Sequence, residues 1–308
     1  MSKNLKGNII LILAALIWGV SFVMQDKAVE YLSPFAINGI RSLIGSAVLL
    51  PVVLFNAKKS GRPFFEKTKN DRRDIIVCGI LCGVFLCIAT NFQQFGIEAY
   101  PENAAASGRS GFITALYVIL VPLFSFVFKK KVSLNVWIGV ALATVGMCFL
   151  CLSGGITNIY TGDIFVFCCA FAFTGQIMCI DAFADRVDGI KLSMLQFFVC
   201  GILSLILSLF FGKPSLEGVV GALPYILYLG IMSCGVAYTF QIIGQQYSKN
   251  PTVASILMSL ESVFAALSGA VISGERLLSR EIIGCALMFA AIVFAQLPSK
   301  QLKKVNKS

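Results

Sequence analysis

The sequence predicts an all-α membrane protein with ten transmembrane helices, arranged as two inverted five-helix repeats. Two observations predict this fold. Ten apolar stretches fill almost the whole of the 308-residue chain, and its two halves carry similar residues at similar spacing. Hydrophobic residues make up 57% of the chain, which leaves too little polar surface for a soluble domain of this size. Each stretch is long enough to cross the roughly 30 Å hydrocarbon core of a bilayer.

The predicted helices lie between charged residues and turn signals. The first apolar run has about the length of a signal peptide but no small-x-small cleavage site, so we keep it as a helix. The polar segment 56–74 is rich in Lys and Arg and is predicted to be a loop. The predicted helices are 8–25, 34–56, 75–98, 103–128, 133–152, 162–181, 190–211, 221–246, 252–273 and 280–297.

The basic residues between the helices predict the orientation of the chain. With the N-terminus inside, the cytoplasmic segments hold nineteen Lys and Arg residues and the opposite loops hold four. The positive-inside rule therefore places both termini in the cytoplasm, as an even number of spans requires. The net charge of +10 is explained by these segments, and anionic lipid headgroups are better partners for them than nucleic acid.

The two halves repeat several residues. Five helices per half is an odd number, so the second copy enters the membrane in the opposite orientation, and inverted repeats imply alternating access to a midplane cavity. We place the repeats at residues 1–155 and 156–308. The matching residues are Gly7, Asn8 and Ile9 with Gly162, Asp163 and Ile164, then Phe92, Gln93, Gly96 and Ser107 with Phe240, Gln241, Gly244 and Ser255.

The composition excludes several kinds of chemistry. The chain has no histidine, which removes imidazole catalysis and the commonest metal ligand. Most of the eleven cysteines lie in apolar stretches, where we expect them to pack as small hydrophobes, and we interpret the Cys148-x-x-Cys151 pair in the same way. The sequence carries no phosphate-binding loop and no nucleophile with its base. We therefore predict no enzyme, no metal and no cofactor.

Three charged residues fall inside the predicted helices, where charges are costly and normally functional. Glu261 lies near the midplane of the ninth helix, and Arg41 and Arg109 lie closer to the outer surface. Low dielectric disfavours a charged carboxyl group, so Glu261 is a candidate for proton coupling. The alternatives are an ion pair with an arginine or a hydrogen bond to Ser259 or Ser262.

The two arginines each have two interpretations. Arg41 would clamp a substrate carboxylate with forked hydrogen bonds or, as we prefer, brace two helices. Arg109 has small neighbours that leave room for a ligand, and it would otherwise pair with Glu98 or Glu102.

Neutral hydrogen-bonding side chains also recur along the helices, where lipid would penalise them. If they converge, they form a pocket for a zwitterion or a polyol, with Trp18, Phe22 and Tyr117 as apolar walls. The alternative is ordinary interhelical hydrogen bonding. The predicted substrate-binding residues are Trp18, Gln25, Arg41, Gln93, Arg109, Gln176, Tyr238 and Gln241.

Motifs spread over nearly the whole chain resemble a known family. They include Ala14-Ala15-Leu16-Ile17-Trp18-Gly19-Val20-Ser21-Phe22, then Ser33-Pro34-Phe35 followed by Arg41, and Glu261 with Gly274-Glu275-Arg276 and Gly284. In this order they resemble the EamA-type transporters of the drug/metabolite transporter superfamily. The ninth helix has Ser262 where that family usually has a proline, so no proline kink is predicted there. The resemblance implies export or exchange of small metabolites across a bacterial cytoplasmic membrane.

The sequence thus predicts a secondary transporter of small organic metabolites such as amino acids, working by alternating access. Proton coupling and the choice between export and exchange stay open. The alternative is a lipid scramblase or a nonenzymatic membrane assembly subunit. We expect a small-molecule substrate and membrane lipids as partners, no nucleic acid, and leave a homodimer open.

Overall fold

A computed structural model describes residues 3–60, 68–101, 106–129, 132–151, 159–272 and 279–297. Helices fill these ranges almost completely, and no strand occurs in them. The predicted repeat boundary at residues 155 and 156 and the Gly274-Glu275-Arg276 motif lie outside the described residues. The helices are α1 (Lys3–Ala28), α2 (Pro34–Ser60), α3 (Lys69–Glu98), α4 (Ala106–Thr114), α5 (Tyr117–Val127), α6 (Leu134–Cys151), α7 (Thr161–Phe183), α8 (Gly189–Phe211), α9 (Leu216–Tyr228), a π-helical segment (Leu229–Ala237), α10 (Tyr238–Ser248), α11 (Pro251–Met258), α12 (Glu261–Ile272) and α13 (Ser279–Gln296).

These elements form ten spans. Within the described residues, eight helical stretches are long and apolar enough to cross a membrane, and Leu134–Gly146 and Ile282–Ala295 are shorter apolar helices. Large apolar side chains such as Leu54 and Phe55 on α2 and Phe210 on α8 stay exposed on the outside of the bundle. Such an apolar exterior suits a protein that is surrounded by lipid.

Polar side chains fix several helix ends. Thr68, Asp188, Ser215 and Asn250 each stand before a helix and accept hydrogen bonds from backbone N–H groups of its first turn. These caps satisfy donors that have no partner within the helix. Lys249 ends α10 with a left-handed φ of 52°, which turns the chain directly into α11.

Two of the predicted helices are divided and a third is irregular, which the sequence did not predict. The fourth is divided into α4 and α5, the ninth into α11 and α12, and the eighth contains the π-helical segment. At the first division Val118 N donates to Ala115 O at 2.9 Å, and at the second Ser262 N donates to Ser259 O at 3.2 Å. Both divisions are therefore tightened 3₁₀-like turns rather than unwound segments.

The hydroxyls of two serines contribute to the second division. The Ser259 Oγ atom donates to Ile256 O, and the Ser262 Oγ atom donates to Ser259 O. Serine hydroxyls that bond to preceding carbonyls compete with helical hydrogen bonds and bend a helix. The interruption thus lies at Ser259 and Leu260, directly before Glu261 and Ser262.

The packing of the helices follows a pseudo-twofold relation between the halves. The pairing of α1 with α10 corresponds to the pairing of α3 with α7, and α2–α8 and α6–α13 pair equivalent helices with each other. The divided helices α4–α5 and α11–α12 are both the fourth span of their half. This equivalence is the arrangement expected of inverted repeats with discontinuous helices.

Paired glycines mark two equivalent crossings. A Cβ atom added at Gly7 would lie 3.0 Å from Gly244 O, and one at Gly96 would lie 3.0 Å from Gly162 O. Gly7 matches Gly162 in the sequence repeat, and Gly96 matches Gly244. Because these four glycines have no side chain, α1 can approach α10 closely and α3 can approach α7 closely.

Candidate functional site

A central cavity lies between the two halves of the bundle. It contains about 470 Å³ of atom-free space, counted together with the solvent at its mouth. Helices from both halves contribute to its wall, and both helix divisions face it. The lining residues are Trp18, Ser21, Phe22, Gln25, Arg41, Gln93, Thr114, Tyr117, Phe173, Ile177, Ser233, Tyr238, Gln241, Met258 and Glu261.

The cavity contains most of the residues that the sequence singled out. Arg109 and Gln176 are not among the described lining residues. The roles in substrate binding and proton coupling stay predictions, but the convergence of these side chains is a feature of the structure. The predicted residues on the wall are Trp18, Gln25, Arg41, Gln93, Tyr238, Gln241 and Glu261.

Sequence reasoning missed five lining residues. Thr114 and Met258 line the cavity because α4 and α11 end there, and these helix ends were not predicted. Ser233 belongs to the π-helical segment, where helical periodicity does not apply. Phe173 and Ile177 lie one turn apart on α7, and only the rotation of that helix distinguishes them from core residues.

Glu261 is the buried carboxyl group of the cavity, with a relative exposure of 4%. Its Oε1 atom accepts a hydrogen bond of 2.9 Å from the Tyr117 hydroxyl. Among the described residues it has no arginine partner, and the hydroxyls of Ser259 and Ser262 donate to backbone carbonyls instead. Tyr117 begins α5 and Glu261 begins α12, so this hydrogen bond joins the two divided helices.

Arg41 is the buried cation of the cavity and is also 4% exposed. A brace between helices needs a partner, and within the described part of the chain no ion pair or hydrogen bond occupies the Arg41 guanidinium. Tyr238 lies within electrostatic range of both Arg41 and Glu261. The cavity thus presents an uncompensated cation and a carboxyl group around one tyrosine.

Three further polar atoms of the wall have no hydrogen-bond partner among the described residues. They are Trp18 Nε1, Gln25 Oε1 and Gln241 Oε1, and all three are buried. An unsatisfied buried polar atom costs about 1–3 kcal/mol, so a hydrogen bond from a ligand or water would stabilise each of these atoms. Together they offer one donor and two acceptors.

A chain of glutamines supports the wall from behind. Gln241 Nε2 donates to Gln176 Oε1 at 3.0 Å, and Gln176 Nε2 donates to Gln196 Oε1 at 3.2 Å. Gln93 Nε2 donates in the same way to Thr114 Oγ1 at 3.0 Å. Gln176 therefore orients Gln241, whose carbonyl oxygen has no hydrogen-bond partner among the described residues.

Arg109 lies in a separate polar cluster at the start of α4 and α7. Its guanidinium forms an ion pair with Asp163 at 2.6 Å, and its carbon Cζ lies 4.9 Å from the centre of the Tyr160 ring. The Tyr100 hydroxyl donates to Asp163 at 2.7 Å. The sequence predicted Glu98 or Glu102 as the partner of Arg109 and not Asp163, and Glu102 lies outside the described residues.

The sequence description of the EamA-like transporter family matches residues 5–152 and 160–296 of this chain. The chain belongs to the EamA-like transporter family. The resemblance seen in the sequence motifs is thereby confirmed, and so is the fold class of ten helices in two repeats. Membership makes the chain a multi-pass membrane transporter.

Several transporters are similar to this chain over most of its length. An uncharacterized transporter of Archaeoglobus fulgidus is 29% identical, with 96% of this chain and 87% of that protein covered. The uncharacterized transporter YwfM of Bacillus subtilis is 25% identical, with 96% and 97% covered. The uncharacterized inner membrane transporter YedA of Escherichia coli K12 is 23% identical, with 92% and 88% covered.

A solved crystal structure has the same fold. It superposes with a TM-score of 0.74 at 20% identity and covers 96% of this chain and 98% of its own. At this identity the likeness concerns the fold of the EamA-like chain and not its substrate.

Proposed function

We propose that this chain is a secondary transporter that exports or exchanges small zwitterionic metabolites, amino acids above all, by alternating access. The observation that carries the proposal is the cavity between the repeats, which combines a buried Glu261 with an Arg41 that has no ion-pair partner among the described residues. No covalent chemistry is required, since transport needs only binding and a change of access.

The polar atoms of the wall match the two ends of an amino acid. The Arg41 guanidinium has the forked geometry that holds a carboxylate. The amide oxygens of Gln25 and Gln241 have no partner among the described residues and accept the N–H groups of an ammonium. The rings of Trp18 and Tyr238 stand 4.8 Å apart and add aromatic faces for a cation.

The hydrogen bond between Tyr117 and Glu261 supports proton coupling. While the carboxylate is charged, the bond is charge-assisted and ties α5 to α12. Protonation weakens the bond and frees the two divided helices to move apart. A substrate ammonium would also favour the charged carboxylate, so proton and substrate would bind in turn. Such exchange would let a proton gradient drive export.

The orientation and membrane are part of the same proposal. Basic residues support cytoplasmic termini, and the relative YedA is described as an inner membrane transporter. We place this chain in the bacterial cytoplasmic membrane, with the pair of Arg109 and Asp163 at the outer ends of α4 and α7. This pair would hold these helices together when the cavity is closed to the outside.

Counterflow in proteoliposomes tests the proposal. Vesicles loaded with unlabelled amino acids should accumulate labelled amino acids through the wild type, and an imposed pH gradient should stimulate this flux. Arg41→Gln should abolish counterflow, and Glu261→Gln should retain counterflow but lose the stimulation. The matched controls Arg186→Gln and Glu30→Gln alter side chains on the surface and should behave as the wild type.

Three outcomes would contradict the proposal. One is a folded wild-type protein that moves no solute from an amino acid pool. Another is counterflow that is unchanged in Arg41→Gln. The third is a lipid flux in the same vesicles without solute flux, which would support the scramblase alternative.

A further inference from the structure

Three thiol groups meet at one point between α3 and α7. Cys78 and Cys82 are one turn apart on α3, and Cys179 reaches them from α7. The three Sγ atoms all lie within 4.8 Å of one another, and the Sγ atoms of Cys78 and Cys82 are 3.8 Å apart. We call these residues the thiol cluster.

The spacing of the sulfurs fits a single metal ion. At a metal–sulfur bond length of about 2.3 Å, three sulfurs around one ion lie about 4 Å from each other. Small rotations of the side chains therefore suffice to bring the three sulfurs of the thiol cluster onto one ion. Cysteines that merely pack as small hydrophobes do not require three sulfurs to face a common centre.

The surroundings select the kind of ion. Cys78 and Cys82 are buried, Cys179 is half-buried, and the neighbouring side chains are apolar, among them Ile180 and Leu192. Within the described residues, no fourth cysteine or carboxylate joins the cluster, and the chain has no histidine. Zinc requires four ligands in such structural sites, whereas soft thiolates select monovalent copper.

We propose that the thiol cluster is a three-coordinate binding site for a soft, thiophilic metal ion of the Cu(I) class. Each thiol that becomes a ligand loses its proton to the solvent, and the thiolate donates its electron pair to the ion. The ion enters and stays as Cu(I), so the step needs no oxidant or reductant. A reduced cytoplasmic side, which the basic residues predict for this end of α3, keeps the thiols available.

A polar crevice lies near the thiol cluster. It is lined by Asp71 and Asp74 at the start of α3, by Asp185, Arg186, Val187 and Asp188 between α7 and α8, and by Lys191 on α8, among others. Asp74 lies one turn before Cys78, and Val187 packs against the apolar residues around the cluster. Asp74 pairs with Arg186 and Asp185 pairs with Lys249, so the crevice carries charges of both signs beside the thiol cluster.

Occupation of the site would cross-link α3 to α7. These two helices form one of the equivalent crossings between the repeats, and a bound ion would hold them in their present arrangement. Rearrangement of the repeats would then be slower, and transport would be inhibited. This inhibition rests on the proposed function, whereas metal binding does not.

Competition with a coloured Cu(I) chelator tests the binding directly. The purified, reduced full-length protein in detergent, kept free of oxygen, should withdraw about one equivalent of Cu(I) from the bicinchoninate complex and release protons. X-ray absorption should then show three sulfurs at about 2.3 Å. Cys78→Ser and Cys179→Ser should lose this uptake, and Cys234→Ser, which changes a buried cysteine elsewhere, should retain it.

Several results would overturn the proposal. One is a wild type that withdraws no Cu(I). Formation of a disulfide between Cys179 and Cys82 by an oxidant would show that the sulfurs are close, but it would not rescue the proposal. Another is equal uptake by the wild type and by a variant in which all three residues are serine. Cys179→Ala, measured beside Cys179→Ser and checked by thermal unfolding, separates loss of the ligand from loss of the fold. A folded Cys179→Ala variant that keeps the full uptake and the three-sulfur signature would equally exclude the site.

Discussion

The hydrogen bond between Tyr117 and Glu261 gives the sharpest prediction about the cavity. Tyr117→Phe removes only the hydroxyl that donates to the buried carboxyl group at 2.9 Å. A hydrogen bond to a charged group contributes about 1.5–3 kcal/mol, and a neutral one about 0.5–1.5 kcal/mol. If Glu261 is charged in this arrangement, Tyr117→Phe should therefore destabilise the protein by about 1.5–3 kcal/mol.

A double-mutant cycle isolates this bond from the other effects of each substitution. Glu261→Met removes the carboxyl group at nearly the same volume, and the stabilities of both single variants and the double variant are compared in detergent. Since the two residues contact each other, their effects should not add, and the coupling energy should lie in the range given above. Raising the pH should increase the coupling until the carboxyl group is fully ionised.

Tyr228 provides the matched control. Its hydroxyl donates to the backbone carbonyl of Ile17 at 3.1 Å and does not contact Glu261. Tyr228→Phe and Glu261→Met should add to within about 0.5 kcal/mol. Equally additive effects of Tyr117→Phe and Glu261→Met would refute the view that this bond ties α5 to α12.

The other predictions concern the cation of the cavity, the ion pair and a helix crossing. Arg41→Lys should weaken counterflow of amino acids at least about tenfold, because a lysine cannot make the forked contact, and flux of amino acid amides that lack the carboxylate should change less. Asp163→Asn should lower the free energy of unfolding by roughly 1–2 kcal/mol, since the pair is only partly exposed, and high salt should leave most of this difference in place. Gly162→Ala should destabilise the protein by about 1–3 kcal/mol, because the new Cβ atom would lie 2.6 Å from Gly96 O. Gly111→Ala, where the nearest atoms are 3.7 Å away, should have little effect in the same thermal unfolding measurement.

The sequence predicts the spans well because crossing a bilayer imposes length and apolarity on each segment separately. It predicts much of the cavity for a related reason. Lipid penalises polar side chains such as Gln93 and Gln241 wherever they face outward, so buried polar residues of different helices converge inside. Neither inference needs the relative rotation of the helices.

The remaining features depend on that rotation and on single hydrogen bonds. Arg109 and Gln93 both look like intramembrane polar residues, but α4 turns Arg109 towards Asp163 and away from the cavity lining. The helix divisions require only one or two shifted hydrogen bonds, which leave hydropathy unchanged. The spacing of Cys78 and Cys82 was visible in the sequence, whereas the approach of Cys179 requires the packing of α3 on α7.

The two divided helices occupy equivalent places in the repeats but differ in chemistry. Tyr117 begins α5 and Glu261 begins α12, so the donor and the acceptor of the bond come from opposite halves. In a symmetric pair of repeats, exchanging the conformations of the halves would restore every contact on the other side of the membrane. Here the exchange would not restore the bond, because α5 begins with Tyr117 at the place where α12 has the carboxyl group of Glu261. In the proposed cycle the two end states would therefore differ in how they stabilise a charged Glu261, and this difference is what a proton gradient would need in order to drive the cycle in one direction.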